Sequence, residues 1–370
     1  MTEPFRMIET PEALRHMVAR LRDEACLALD TEFVWDRTYY ARLGLVQIGL
    51  SGGTCFLVDP VSLPDLAPIG ELLADARIVK ILHDAPQDLM ILRRATGASA
   101  RNVFDTRLAA GFAGLPSTLS LGNLLAGLLD VHLAKAHTRA DWTARPLAPE
   151  ELEYAADDVR YLPQVAALLR GRACAAGVEA WLDEELATLD ASALYEEKDF
   201  EGAYLRIRAA ASLPPRSLAV LRELAAWREQ EARRADLPRR WLMEDGELVS
   251  LATAPPRAPG DLHLDPQTVR RHGEALLAAV RRGLSLPDAE LPPPVFQPSR
   301  DPARRRAVDA ALGDILARAA ARKIDPPLAC SRNELAMVLQ EGAAARPEAH
   351  PLLRGWRAEL IGDALAVRPT

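Results

Sequence analysis

An α/β layer with a mixed five-stranded sheet, followed by two all-helical modules, is the architecture that this sequence predicts. Three observations carry it. Strand-like apolar runs alternate with helical patterns through the first two hundred residues. No further strand series appears after about residue 205. The stretch 288–302, DAELPPPVFQPSRDP, holds enough proline to preclude a regular helix or strand, so it reads as a linker.

In chain order, Leu14, Met17, Val18 and Leu21 fall at helical spacing and predict a helix over 12–22. The runs CLALD, RLGLVQIGL and CFLVD come next as strands, with Ser-Gly-Gly at 51–53 forming a hairpin turn before the third. LAPIGELLAD is helical, IVKILHD is a fourth strand, QDLMILRRAT a helix, and VFDT a short fifth strand leading into RLAAGFAG. LGNLLAGLL and the long pattern from Pro149 onward are helices. Pro149, Glu150 and Glu151 suit a helix start, and Pro163 bends or divides the long helical pattern. The acidic stretch from Glu184 to Glu197 reads as a solvated boundary.

Composition narrows the class. The chain has 370 residues, 49% hydrophobic and 26% charged, which suits a globular protein of two or three domains. Its formal charge of −7 argues against a surface coated in nucleic acid, while local arginine clusters leave room for a basic path. Cys26, Cys55, Cys174 and Cys330 lack Cys-x-x-Cys spacing, so neither a disulfide framework nor a zinc site is expected, and a reducing compartment is the simpler reading. No signal peptide or membrane span is legible, and the cytoplasm is the expected location.

The chemistry begins at CLALDTEFVW. Asp30 and Glu32 are two apart at the end of an apolar strand, so both carboxylates lean into one space. Like charges this close call for a cation between them. Asp88 in HDAPQDL stands in the first turn of the helix after a buried strand, whereas Asp84, just before Ala85-Pro86, reads as a loop or cap residue. In EYAADDVRYL, Tyr154 and Asp158 are four apart on one helix face, and Asp157 points partly away. Asp30, Glu32, Asp88 and Asp158 together make a four-carboxylate set suited to two hard divalent cations, Mg2+ or Mn2+. Tyr154 can orient a water by hydrogen bonding.

These segments resemble the DEDD 3'-to-5' exonucleases, in the tyrosine-containing branch that includes ribonuclease D. LDTEFVW, HDAPQDL and YAADDVRYL match that branch's metal and tyrosine motifs, and FDT at 104–106, SLGNLL and DWTARPL match further stretches over about residues 5–200. The resemblance implies a ribonuclease H-like exonuclease domain over 1–204 and catalytic roles for Asp30, Glu32, Asp88, Tyr154 and Asp158. Residues 205–287 resemble a helicase-and-RNase-D C-terminal (HRDC) domain, and 303–370 a second, divergent one. A catalytic unit ending near residue 203 is then expected to hydrolyse short substrates by itself.

The implied substrate is RNA with an accessible 3' end, transfer-RNA precursors above all. The implied chemistry is two-metal hydrolysis releasing nucleoside 5'-monophosphates. A DNA exonuclease and a noncatalytic nucleic-acid tether are the alternatives, and a monomer is the expected assembly, with other states left open. Candidate substrate contacts are Phe33, Trp35, Lys135 and Arg145. Arg233, Arg234, Arg239 and Arg240 are candidate RNA contacts in the first helical module, within a basic patch that also holds Arg222 and Arg228. Trp227 shares a helix stripe with Leu221 and Leu224 and reads as core; Trp241 reads as core or stacking platform.

Overall fold

The computed structural model describes residues 5–133, 140–196 and 200–365, which form two compact units. The first opens with β1 (Arg6–Ile8), α1 (Pro11–Leu21), β2 (Cys26–Val34), β3 (Arg42–Gly49) and β4 (Cys55–Val58). It continues through α2 (Ala67–Ala74), β5 (Val79–Leu82), α3 (Pro86–Thr96), β6 (Val103–Asp105), α4 (Thr106–Phe112) and α5 (Leu121–Leu129). Three more helices are α6 (Pro149–Arg160), α7 (Leu162–Ala175) and α8 (Glu179–Ala187).

The sheet has six strands in the order β1-β4-β3-β2-β5-β6. The expected count of five is thereby corrected. The added strand is only three residues long, too short to show a period, and is defined by its parallel pairing of Arg6 with Phe56. β3 and β4 are antiparallel, with Val46 opposite Val58, while β2–β5 and β5–β6 are parallel. Gly53, at φ +80°, turns the hairpin between β3 and β4.

Consecutive residues Leu27, Ala28 and Leu29 are all buried, as are Leu45, Val46 and Ile48. Runs without alternation mark a sheet covered on both faces. α6 lies directly on β3 at Gly49, where a Cβ would come within 2.6 Å of the Val159 carbonyl oxygen. This close approach brings the helix that carries Tyr154 and Asp158 onto the sheet. Pro163 divides the long helical pattern: α6 ends at Arg160, and the proline occupies the first turn of α7.

The second unit comprises residues 35–42 and 200–297 among those described. Its helices are α9 (Pro215–Ala235), α10 (Arg239–Leu242), α11 (Asp245–Thr253) and α12 (Pro266–Ser285). Leu221, Leu224, Leu248, Leu276 and Val280 build its core, and Trp227 packs against it, as its stripe predicts. The connection between β2 and β3 belongs to this unit. The Asp236 carboxylate accepts from the Tyr39 and Tyr40 amides at 3.1 and 3.3 Å, and the Tyr39 hydroxyl donates to Glu229 at 2.8 Å.

The last helices, α13 (Pro302–Ala321), α14 (Pro326–Ala329), α15 (Arg332–Glu341) and α16 (Gly355–Ile361), belong to the same unit as the sheet. Trp356, 1% exposed, meets Phe112 edge-on at 5.1 Å and stacks on Trp181 at 5.9 Å. Its indole donates to Glu185 at 2.8 Å, its amide donates to Glu184, and Arg357 pairs with Glu185. The Asp325 carboxylate accepts from the Ser117 amide and hydroxyl, each at 2.7 Å. Glu185 is therefore a packing partner of the C-terminal helices rather than part of a solvated boundary, while Glu184 stays exposed and accepts from the Trp356 amide. Their partners lie about 170 residues onward in sequence, beyond any local pattern.

A chain cut near residue 203 loses this cover, so its independence as a short-substrate nuclease is not expected. Trp356→Ala in the full chain should cost about 3–5 kcal/mol, as for other buried aromatic truncations. The denaturant midpoint measures it, and an unchanged midpoint would show that α16 is not part of the folded core.

Candidate active site

β2 places Asp30 and Glu32 on one side of the sheet, and α6 supplies Asp158. One carboxylate oxygen from each of these three acids lies within 4.8 Å of the others. Burial pushes Asp30 well above the usual carboxylate range, and repulsion from Asp88, Asp158 and Glu32 pushes it further. Glu32 is raised to about 8 by burial, then by the charges of Asp158 and Asp88. Asp158 is raised to about 7, again chiefly by burial. Apolar surroundings and mutual repulsion both disfavour the ionised forms, so the protein stores a demand for positive charge here. An all-oxygen set of this geometry fits a hard divalent cation.

Asp88 stands beside this triad rather than within it. Pro86 starts α3, the buried Asp88 falls in its first turn, and its carboxylate accepts a hydrogen bond from the Thr31 hydroxyl. Burial raises Asp88 to about 6, opposed by that bond. Nothing in the local sequence marks Thr31 for this role. Strand alternation turns it away from its two acidic neighbours, and only the packing of α3 on β2 reveals its partner.

The Tyr154 hydroxyl hydrogen-bonds Asp158, and its ring lies 6.2 Å from that of the buried Trp142. Burial, then the charges of Asp158 and Glu32, drives its ionisation further above the ordinary tyrosine value. It therefore stays a neutral phenol, able to donate and orient. Asp157 turns aside to Arg160, as its helix position predicts. Asp84 is the expected loop residue, at φ +64° and paired with Arg107.

The candidate substrate contacts divide. Phe33 is the next-to-last residue of β2, directly after Glu32. Trp35 is 41% exposed, and its indole donates to the Tyr39 carbonyl at 2.8 Å within the second unit. Lys135 lies outside the described residues. Arg145 grips the buried Asp59 carboxylate, with its Nε at 2.9 Å from Asp59, and also donates to the carbonyls of Gly44, Trp142 and Ala144. Its guanidinium clamps the 142–145 segment to the sheet, which corrects its reading as a free phosphate-binding cation.

Most of the basic patch in the first helical module is likewise engaged. Buried Arg228 donates to the Met243 carbonyl and pairs with Asp245. Arg233 lies over Phe200 at 4.3 Å, Arg234 pairs with Glu231, and Arg239 with Glu229 at 3.0 Å. Arg222 lies 3.7 Å from Glu223. Arg240 is exposed beside Trp241, itself 58% exposed, so Trp241 is not core. Helical periodicity locates such arginines but not the acids that neutralise them.

Comparison with known proteins agrees with this geometry. Residues 5–172 match the family described as 3'-5' exonuclease, and residues 217–280 match the HRDC domain. The chain is 38% identical over 360 residues to a ribonuclease D of Desulfotalea psychrophila, covering 96% of each chain. It is 34% identical over 371 residues to ribonuclease D of Escherichia coli K12, covering 98% of this chain and 97% of the other. The crystal structure of E. coli RNase D, described as an exoribonuclease involved in structured RNA processing, superposes with a TM-score of 0.87 at 34% identity, covering 98% of this chain and 97% of that one. The catalytic core of RRP6 from Trypanosoma brucei gives a TM-score of 0.60 at 26% identity, over 77% of this chain and 81% of that core. With similarity of this strength running over nearly the whole chain, around a partly buried acidic triad, the chain belongs to the ribonuclease D family.

Proposed function

We infer that the protein is a metal-dependent 3'-5' exoribonuclease that trims structured RNA, transfer-RNA precursors foremost, and releases nucleoside 5'-monophosphates. The observation that carries this reading is the convergence of Asp30, Glu32 and Asp158 within 4.8 Å, with the Tyr154 hydroxyl bonded to Asp158. Kinship with ribonuclease D supplies the substrate class. We read the site as one for two cations, Mg2+ or Mn2+, with Asp88 as the fourth acid. Bound there, they would polarise the phosphodiester and make water a competent nucleophile at neutral pH.

The chain's own groups do the rest. Asp30, Glu32 and Asp158 hold the charge, Asp88 adds negative potential from the edge, and Tyr154 aims its hydroxyl at the attacking water. Attack at phosphorus breaks the bond to the 3' oxygen, so the released nucleotide keeps its 5' phosphate and the shortened RNA gains a 3' hydroxyl. Phe33 and Trp35 come just after Glu32 in sequence and are our candidates for the flanks of the terminal base.

End-labelled single-stranded RNA and DNA, incubated side by side with Mg2+ or Mn2+, test the reading. RNA should shorten from its 3' end with mononucleotide release, faster than DNA. Preference for DNA would favour a DNA exonuclease, and tight binding without hydrolysis of either would favour a tether.

A further inference from the structure

A groove between α13 and α15 brings Arg304, Arg305 and Arg332 to its walls over a floor that includes Val308, Ala336 and Leu339. Its space is about 670 Å3 with the open mouth included. Arg332 is paired with Asp309. Among the described residues no acid pairs with Arg304, Arg305 or Arg306, and all three are exposed.

These charges do not serve the helix. α13 has no acid in its first turn, and its capping Asp301 is occupied by the Ala303 amide at 2.9 Å. Cations at the start of a helix are electrostatically disfavoured. The groove thus concentrates uncompensated positive charge beside an apolar floor, in a protein whose formal charge is −7.

We propose that this groove is a binding site for an RNA strand, with phosphates on Arg304 and Arg305 and a sugar or base face against Val308, Ala336 and Leu339. The proposal rests on the exoribonuclease reading and gives the second helical module a direct share in holding substrate. Adjacent helical residues diverge by about 100°. Their guanidinium groups therefore suit successive phosphates of a regular polyanion better than one carboxylate of a peptide. Guanidinium also matches phosphate in shape and hydrogen-bonding geometry.

The full chain carrying Arg304→Glu and Arg305→Glu tests the site. Equilibrium binding of a transfer-RNA-like stem with a single-stranded 3' tail, measured in EDTA, keeps the RNA intact. Hydrolysis of a tetranucleotide RNA with Mg2+ is measured separately and tests the exoribonuclease reading on its own. The double variant should bind the stem-tail RNA about tenfold or more weakly, with a salt dependence reduced by about one to two phosphate contacts. Its kcat and KM on the tetranucleotide should match the parent's. Unchanged affinity and salt slope would overturn the site, as would polyglutamate binding that depends on these arginines while RNA affinity does not. Should the glutamate variant melt early, Arg304→Ala with Arg305→Ala decides by the same two readouts.

Discussion

Asp30→Asn is expected to reduce turnover by roughly 10³-fold, the scale of removing one preorganised electrostatic partner from a reaction centre. The same change should make the metal-free protein more stable above neutral pH. In an unfolded chain an aspartate ionises near pH ~4. In the folded protein, burial and three neighbouring acids hold Asp30 well above that. As pH rises between the two values, the unfolded state gives up its proton first, so folding loses stability. Asparagine has no such proton to lose.

The variant's advantage should therefore be absent at about pH 4 and grow toward alkaline pH. Glu32 and Asp158, pushed to about 8 and 7, mark the range through which the remaining cluster charges. Melting in EDTA at acid and mildly alkaline pH, set beside Mg2+-dependent hydrolysis, reads both effects. Full activity in a folded Asp30→Asn protein would remove Asp30 from the centre. Lost activity with no pH-dependent gain in stability would mean that Asp30 is not a buried carboxylate under repulsion.

Tyr154→Phe should lower kcat by roughly 10- to 1000-fold, the range for loss of a positioned orienting or proton-transfer group. The ring volume beside Trp142 is preserved, and only the hydroxyl bonded to Asp158 is removed. Metal affinity should change little, because the phenol stays protonated and contributes no anionic ligand. Since Tyr154 ionises above its ordinary value, the pH–rate profile of the variant should keep the parent's shape. Single-turnover hydrolysis at saturating metal, with a separate metal titration, divides these effects. A normal chemical rate would rule out a catalytic hydroxyl, and metal binding weakened in step with rate would make Tyr154 a support for Asp158.

Much of this protein is legible from local pattern. Period-two placement puts Asp30 and Glu32 on one side of a strand, and four-residue spacing puts Tyr154 and Asp158 on one helix face; both arise from backbone geometry alone. The alternation of strands and helices, the hairpin at Gly53 and the break at Pro163 are equally local. Tertiary structure decided the rest, because it depends on partners distant in sequence. It set Asp88 beside the three-acid group, held by Thr31 from the neighbouring strand. It turned Arg145 from a candidate phosphate ligand into the clamp on Asp59, 86 residues away. It also joined the last helices to the sheet-bearing unit through Trp356 and Glu184, 172 residues apart. A residue's chemistry can be read where it stands, but whether a charge is spent on a neighbour or left for a ligand depends on which distant residue the fold brings against it.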